Sequence, residues 1–180
     1  IELNRHHPIS LLGIHDIFEP LDPPRRKELP IFSASDRVGS PICVVDPKKI
    51  VGIVYTDLAD ETGAFDLATP VTDQIGQNVA DFLAAEIRFG RIPSQFLPLQ
   101  SGVGNIANAV LSALGRSQDI PAFEMYTEVL QDSVVPLLEN GRCKFASTTA
   151  LTLSPEAMQR VASQMDYFKK HVILRPQEIS

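Results

Sequence analysis

Two stretches of this chain bring together residue types that do chemistry. The first, Gln100-Ser101-Gly102-Val103-Gly104-Asn105-Ile106-Ala107, is a glycine-rich turn between an extended apolar run and a helical one. Glycines let the backbone approach a ligand closely, and N–H groups at the start of a helix hold a phosphate or a developing oxyanion. Gln100, Gly102 and Asn105 are the turn's candidate ligand contacts. The spacing Gly102-x-Gly104-x-x-Ala107 also matches the dinucleotide-binding fingerprint, which expects an acidic ribose ligand about 20 positions on, near Glu128. A tight strand-to-helix turn without any ligand accounts for the same pattern.

The second stretch is Met125-Tyr126-Thr127-Glu128-Val129-Leu130-Gln131-Asp132, a carboxylate after an apolar strand and before a helical run. In open α/β sheets that edge is where ligands bind. Walled by Met125, Tyr126 and Val129, Glu128 is expected to be poorly solvated, which raises a carboxyl pKa and sharpens the carboxylate as a nucleophile. Complementing the dipole of a following helix is the structural use of a Glu at such a place. The remaining candidates are poorer. His6, His7, His15 and His171 show no metal-ligand spacing with Cys, Asp or Glu. Ser101 lacks the setting of a serine-hydrolase elbow. Ser147-Thr148-Thr149 can bond a ligand or cap local backbone.

The elements that must position these residues follow from periodicity. The chain up to residue 41 reads as loops with one short helix. Ile42–Val45 and Ile50–Tyr55, around Asp46-Pro47-Lys48-Lys49, predict a strand pair, and Asp57–Thr69 is acidic and turn-rich. Ile75, Val79, Phe82, Leu83 and Ile87 predict a helix over Pro70–Phe89, ended by Gly90. A rhythm of apolar stretch, turn and amphipathic helix then repeats: Phe96–Gln100 into Asn105–Leu114, Phe123–Thr127 into Leu130–Leu138, Cys143–Ala146 into Pro155–Met165, with Val172–Leu174 as a further strand. This is the βαβ pattern of an α/β fold with mostly parallel open sheets and flanking helices. The proline-bearing connection Gly90–Pro98 is the expected boundary between two parts, 1–92 and 93–180.

Composition narrows the class. With 180 residues, 44% of them apolar, and no apolar run of membrane-spanning length, the chain builds an ordinary core. A net charge of −6 speaks against nucleic acid as a partner. Cys43 and Cys143 lie far apart in apolar runs and read as buried free thiols. The chain starts at Ile1 without a basic, apolar leader, as expected of a fragment.

Phe96–Val110 followed by Met125–Asp132 resembles the acetyl-CoA hydrolase/transferase family, the class I coenzyme A transferases that include succinyl-CoA:acetate transferases. Gly39–Asp57, Asp73–Phe89, Leu153-Ser154-Pro155-Glu156 and Ile173-Leu174-Arg175-Pro176 extend the resemblance over most of the chain from about residue 30. It implies a NagB/CoA-transferase-like fold of two linked α/β domains, with 1–92 ending the first and 93–180 beginning the second, catalytic one. It implies Glu128 as the nucleophile that takes an acyl group from acetyl- or succinyl-CoA as an anhydride and then carries CoA as a glutamyl thioester. Val103 and Gly104 would supply main-chain oxyanion donors. A carboxylate such as acetate completes transfer; water completes hydrolysis. Coenzyme A enters as substrate, no cofactor or metal is held permanently, and a homodimer in a mitochondrial or cytoplasmic compartment is the expected setting. Family members continue beyond this region into a G-G-S-G-D-F-like loop that completes the site, so the isolated 180 residues are expected to be an inactive central fragment. Two rival readings are an NAD(P)-binding oxidoreductase on the glycine turn and a non-catalytic scaffold.

Overall fold

A computed structural model describes residues 1–6, 11–59 and 68–179. His7, part of the apolar stretch before Ile14, and most of the acidic stretch 57–69 lie outside the described residues.

The central sheet is parallel: β3 (Phe123–Tyr126), β5 (Cys143–Thr148) and β7 (Val172–Leu174) lie in that order, Met125 opposite Ala146 and Ala146 opposite Val172. Single parallel bridges extend it at both edges, Leu99 beside Met125 and His15 beside Leu174. A second parallel pair, β4 (Val129–Gln131) with β6 (Ala150–Thr152), resumes just past the ends of β3 and β5. In a separate sheet, β1 (Glu2–Asn4) pairs in parallel with β2 (Val54–Thr56).

Capping fixes the helices. In α1 (Pro70–Arg88) the Thr69 hydroxyl accepts from Thr72 N–H at 3.2 Å, Thr72 returns a bond to Thr69, and Pro70 fills the first turn, where no N–H is needed. Ser154 caps α4 (Pro155–Ser163) in the same way, accepting from Ala157 N–H at 3.2 Å. Helices α2 (Asn105–Arg116), α3 (Val134–Glu139) and α5 (Met165–Phe168) complete the layers. The approach of α1 to α2 depends on Gly76, where a Cβ would lie 2.5 Å from the Ala109 carbonyl oxygen. Core residues come from both sides of the boundary expected at 92/93: Ile14, Ala80 and Ala84 share one cluster with Leu114, Phe123, Met125, Leu138 and Val172.

Four expectations fail. The stretch up to residue 41, read as loops, contains strand β1, held by its pairing with β2. Ile42–Val45 is not a strand, with Val44 almost wholly in solvent, and of Ile50–Tyr55 only Val54 and Tyr55 are in a strand, paired with β1, so the two β-branched runs do not pair with each other. The helix expected from Leu130 begins only at Val134, because residues 129–131 pair with β6. Cys43 is exposed, whereas Cys143 is buried as expected.

Candidate functional site

Glu128 sits in the two-residue break between β3 and β4, at the C-terminal edge of the sheet. The break is held from the β5–β6 side. Glu128's carbonyl oxygen accepts from the hydroxyls of Thr148 at 3.0 Å and Thr149 at 2.7 Å, and from the N–H groups of Thr149 at 3.0 Å and Ala150 at 3.3 Å. With its backbone pinned at this kink, the residue projects its side chain out of the strand, and it is exposed. The expected poor solvation is therefore not found: Glu128 is exposed, while Met125 is buried in the core and Tyr126 and Val129 are half-buried.

The residues on either side of Glu128 tie it to the glycine turn. Thr127 is buried, its hydroxyl donating to the Ser101 carbonyl at 3.1 Å and accepting from Ser101 N–H at 3.2 Å. Gln131 is also buried, and its amide clasps the turn from the other end, donating to the Gly102 carbonyl at 2.8 Å and accepting from Gly104 N–H at 3.1 Å. The turn hangs on four hydrogen bonds from two side chains flanking the carboxylate. Gly104 adopts φ 124°, which only glycine takes without strain, and starts α2 with no side-chain cap. Its N–H is already engaged by Gln131, whereas Val103 N–H has no partner among the described residues and its residue is exposed.

The three candidate ligand contacts part company. Gln100 and Gly102 line, with Ser101, a cavity of about 280 Å³ whose remaining walls are apolar, including Leu83, Leu99 and Leu111. Asn105 lines a separate cavity of about 270 Å³ with Asn108, Asp132 and Ser133. Glu128 lines neither.

Sequence reasoning missed the supports. Arg175, fully buried after β7, ion-pairs with buried Asp16, donates from Nε to Ser147 Oγ at 2.7 Å, and reaches the carbonyls of Ala34 and Asp36. Asp16 in turn accepts from the N–H groups of Val38 at 3.1 Å and Gly39 at 2.8 Å. This node straps the 33–39 loop to the sheet's C-terminal edge. Ser147 and Thr148 thus support the framework, and Thr127 N–H completes it by donating to the Ser147 carbonyl at 2.9 Å. Only the presence of a lone Arg in an apolar strand end, Ile173-Leu174-Arg175, signalled that a buried partner must exist.

Over all 180 residues the chain is 50% identical to the propanoyl-CoA:succinate CoA transferase of Escherichia coli K12, 41% to an acetyl-CoA hydrolase of Schizosaccharomyces pombe, and 38% to the succinyl-CoA:acetate CoA-transferase of Clostridium kluyveri. The chain is homologous to the acetyl-CoA hydrolases and CoA-transferases. It covers 37%, 34% and 33% of these three proteins, about a third of their length. No protein-family model matches it. The solved structure of RipA from Yersinia pestis shares the fold, with a TM-score of 0.51 and 21% identity over 72% of this chain and 28% of that one. The resemblance drawn from the two motifs is thereby borne out, as is the parallel α/β class. The relatives named here act, by their names, on CoA thioesters, and none is a dinucleotide enzyme, so the oxidoreductase reading has no support. No helix among the described residues is long and apolar enough to cross a membrane.

Proposed function

We propose that this chain carries the nucleophile of an acetyl-CoA hydrolase/CoA-transferase and that Glu128 is that nucleophile. The observation behind the reading is the clasp: the two side chains flanking Glu128 hold the glycine turn, so carboxylate and backbone donors are built as one unit. A Glu128 oxygen attacks the thioester carbonyl, the C–S bond breaks, and CoA leaves as thiolate from a mixed anhydride. Thiolate then attacks the glutamyl carbonyl and expels the donor's acid as a carboxylate, leaving a glutamyl-CoA thioester. An acceptor carboxylate, acetate among them, reverses the sequence to complete transfer; water instead gives hydrolysis.

In this scheme Val103 N–H is the turn's oxyanion donor. Gly104 serves by its backbone geometry, its own N–H being committed to Gln131. Gln100, Gly102 and Asn105 are the proposed contacts for coenzyme A on the turn and at the start of α2; the cavity beside Gln100 and Gly102 is not lined by Glu128 and is not assigned to the acyl group. The exposure of Glu128 fits a site closed by further polypeptide or by a second subunit, as in a homodimer, and the setting proposed is acetate metabolism in a mitochondrial or cytoplasmic compartment. The division at 92/93 belongs to the same proposal, as a junction in a longer protein. Glu128→Gln in the natively expressed protein tests the reading. Both transfer and hydrolysis should fall by about four orders of magnitude; retention of either at a tenth of wild type removes Glu128 from the mechanism.

A further inference from the structure

Beyond β7 the chain does not wander off. Arg175 N–H donates to the Thr148 carbonyl at 2.8 Å while its guanidinium is locked in the Asp16 node, which fixes the start of the next segment. At the other end Ile179 is buried, its N–H donates to the Pro176 carbonyl at 2.9 Å, and its carbonyl accepts from the Tyr126 hydroxyl. Residues 176–179 are thus a turn pinned at its start to β5 through Thr148 and at its end to Tyr126 of β3, the strand that leads into Glu128. Its one polar side chain in contact with that residue is Gln177, whose Nε2 donates to Glu128 Oε1 at 3.1 Å.

We propose, resting on the nucleophile reading above, that Gln177 is a donor to the reacting carboxyl of Glu128 and steadies the charge on Oε1 as glutamyl-CoA forms and decays. With Oε1 held by the amide, Oε2 is the oxygen presented to the thioester. In the next step the thiolate forms a bond to Cδ, the Cδ–Oε1 π pair moves onto Oε1, and collapse breaks Cδ–Oε2, so the departing carboxylate carries Oε2. Oε1 passes through an oxyanion in this step and again when the acceptor carboxylate attacks Cδ. A neutral amide suits both stages. It donates without delivering a proton, and it does not neutralise the nucleophile as a Lys or Arg would. Because the bond strengthens as charge concentrates on Oε1, it acts on the transition state more than on substrate binding.

The test compares Gln177→Met, which keeps length without a donor, and Gln177→Glu, which keeps shape but presents an acceptor, with Glu128→Gln in the natively expressed protein. The readouts are kcat and KM with acetyl-CoA and succinate, and the urea midpoint. Both Gln177 variants should lose about 10²-fold in kcat with KM for acetyl-CoA changed by less than about threefold, and, since Gln177 is exposed, with the urea midpoint unmoved. Wild-type kcat in both variants, loss confined to KM, or a kcat loss that tracks a lowered midpoint overturns the role of Gln177. An active Glu128→Gln protein overturns the nucleophile itself, so the two failures are distinct.

Discussion

Asp16→Ala should be among the most damaging single substitutions in the chain, although Asp16 lies 112 positions from Glu128 and touches no proposed substrate group. The Asp16 and Arg175 side chains are 1% and 0% exposed, and the carboxylate also accepts from two backbone N–H groups of the 33–39 loop. Removing the carboxylate strands a guanidinium in the interior and leaves those N–H groups without partners. Breaking a buried pair from one side costs about 3–5 kcal/mol, a large part of a stability of about 5–15 kcal/mol. In urea, with a slope of about 2 kcal/mol per M, the midpoint should fall by about 2 M. Arg175→Met should cost a similar amount, since it removes the donor to Asp16, Ser147, Ala34 and Asp36. The double variant Asp16→Ala/Arg175→Met discriminates. With both charges gone there is no uncompensated ion, so its loss should be well below the sum of the singles. A loss under about 1 kcal/mol for Asp16→Ala, or strict additivity in the double variant, would refute the claim that this node straps the loop to the sheet edge.

Gln131→Leu deletes both amide bonds to the glycine turn, and should lower stability by about 1–3 kcal/mol and kcat by up to about 10²-fold through displacement of Val103; urea titration and steady-state kinetics read the two effects separately. Gly76→Val places side-chain atoms against the Ala109 carbonyl and must push α1 from α2, lowering the thermal midpoint by several degrees, for a cost of about 1–3 kcal/mol. Burial pushes the Cys143 thiol up to about 12, so almost none of it is thiolate at pH 8, whereas Cys43 is exposed. A thiol-specific reagent should therefore label Cys43 within minutes in the native state and reach Cys143 only after unfolding, as counted by peptide mass spectrometry.

What the sequence revealed and what it hid divide along physical lines. Helix α1 was legible almost to the residue, because Thr69-Pro70 starts it, apolar spacing sustains it and Gly90 stops it, all local signals. Strand β7 was legible as a short β-branched run. The kink at Glu128 was not: Leu130, Val134, Val135 and Leu138 share helical spacing, yet pairing with β6 holds residues 129–131 extended, a tertiary contact with no local trace. The exposed run Ile42–Val45 erred the other way, since β-branched composition signals a strand only when a neighbour is there to pair with. At the site, Glu128 and the glycine turn stood out by residue type. Thr127, Gln131, Asp16, Arg175 and Gln177 did not, because each acts through a partner 26 to 159 positions away that only the fold brings near.

Peptide mass spectrometry of the natively expressed protein, mixed with acetyl-CoA and reduced with borohydride, addresses the nucleophile most directly. A glutamyl-CoA thioester would be reduced to an alcohol, and the account predicts that change on the peptide containing Glu128 and its loss when acetyl-CoA is omitted. An unmodified Glu128 peptide from protein that turns over acetyl-CoA at full rate, or the change on another carboxylate, would contradict it.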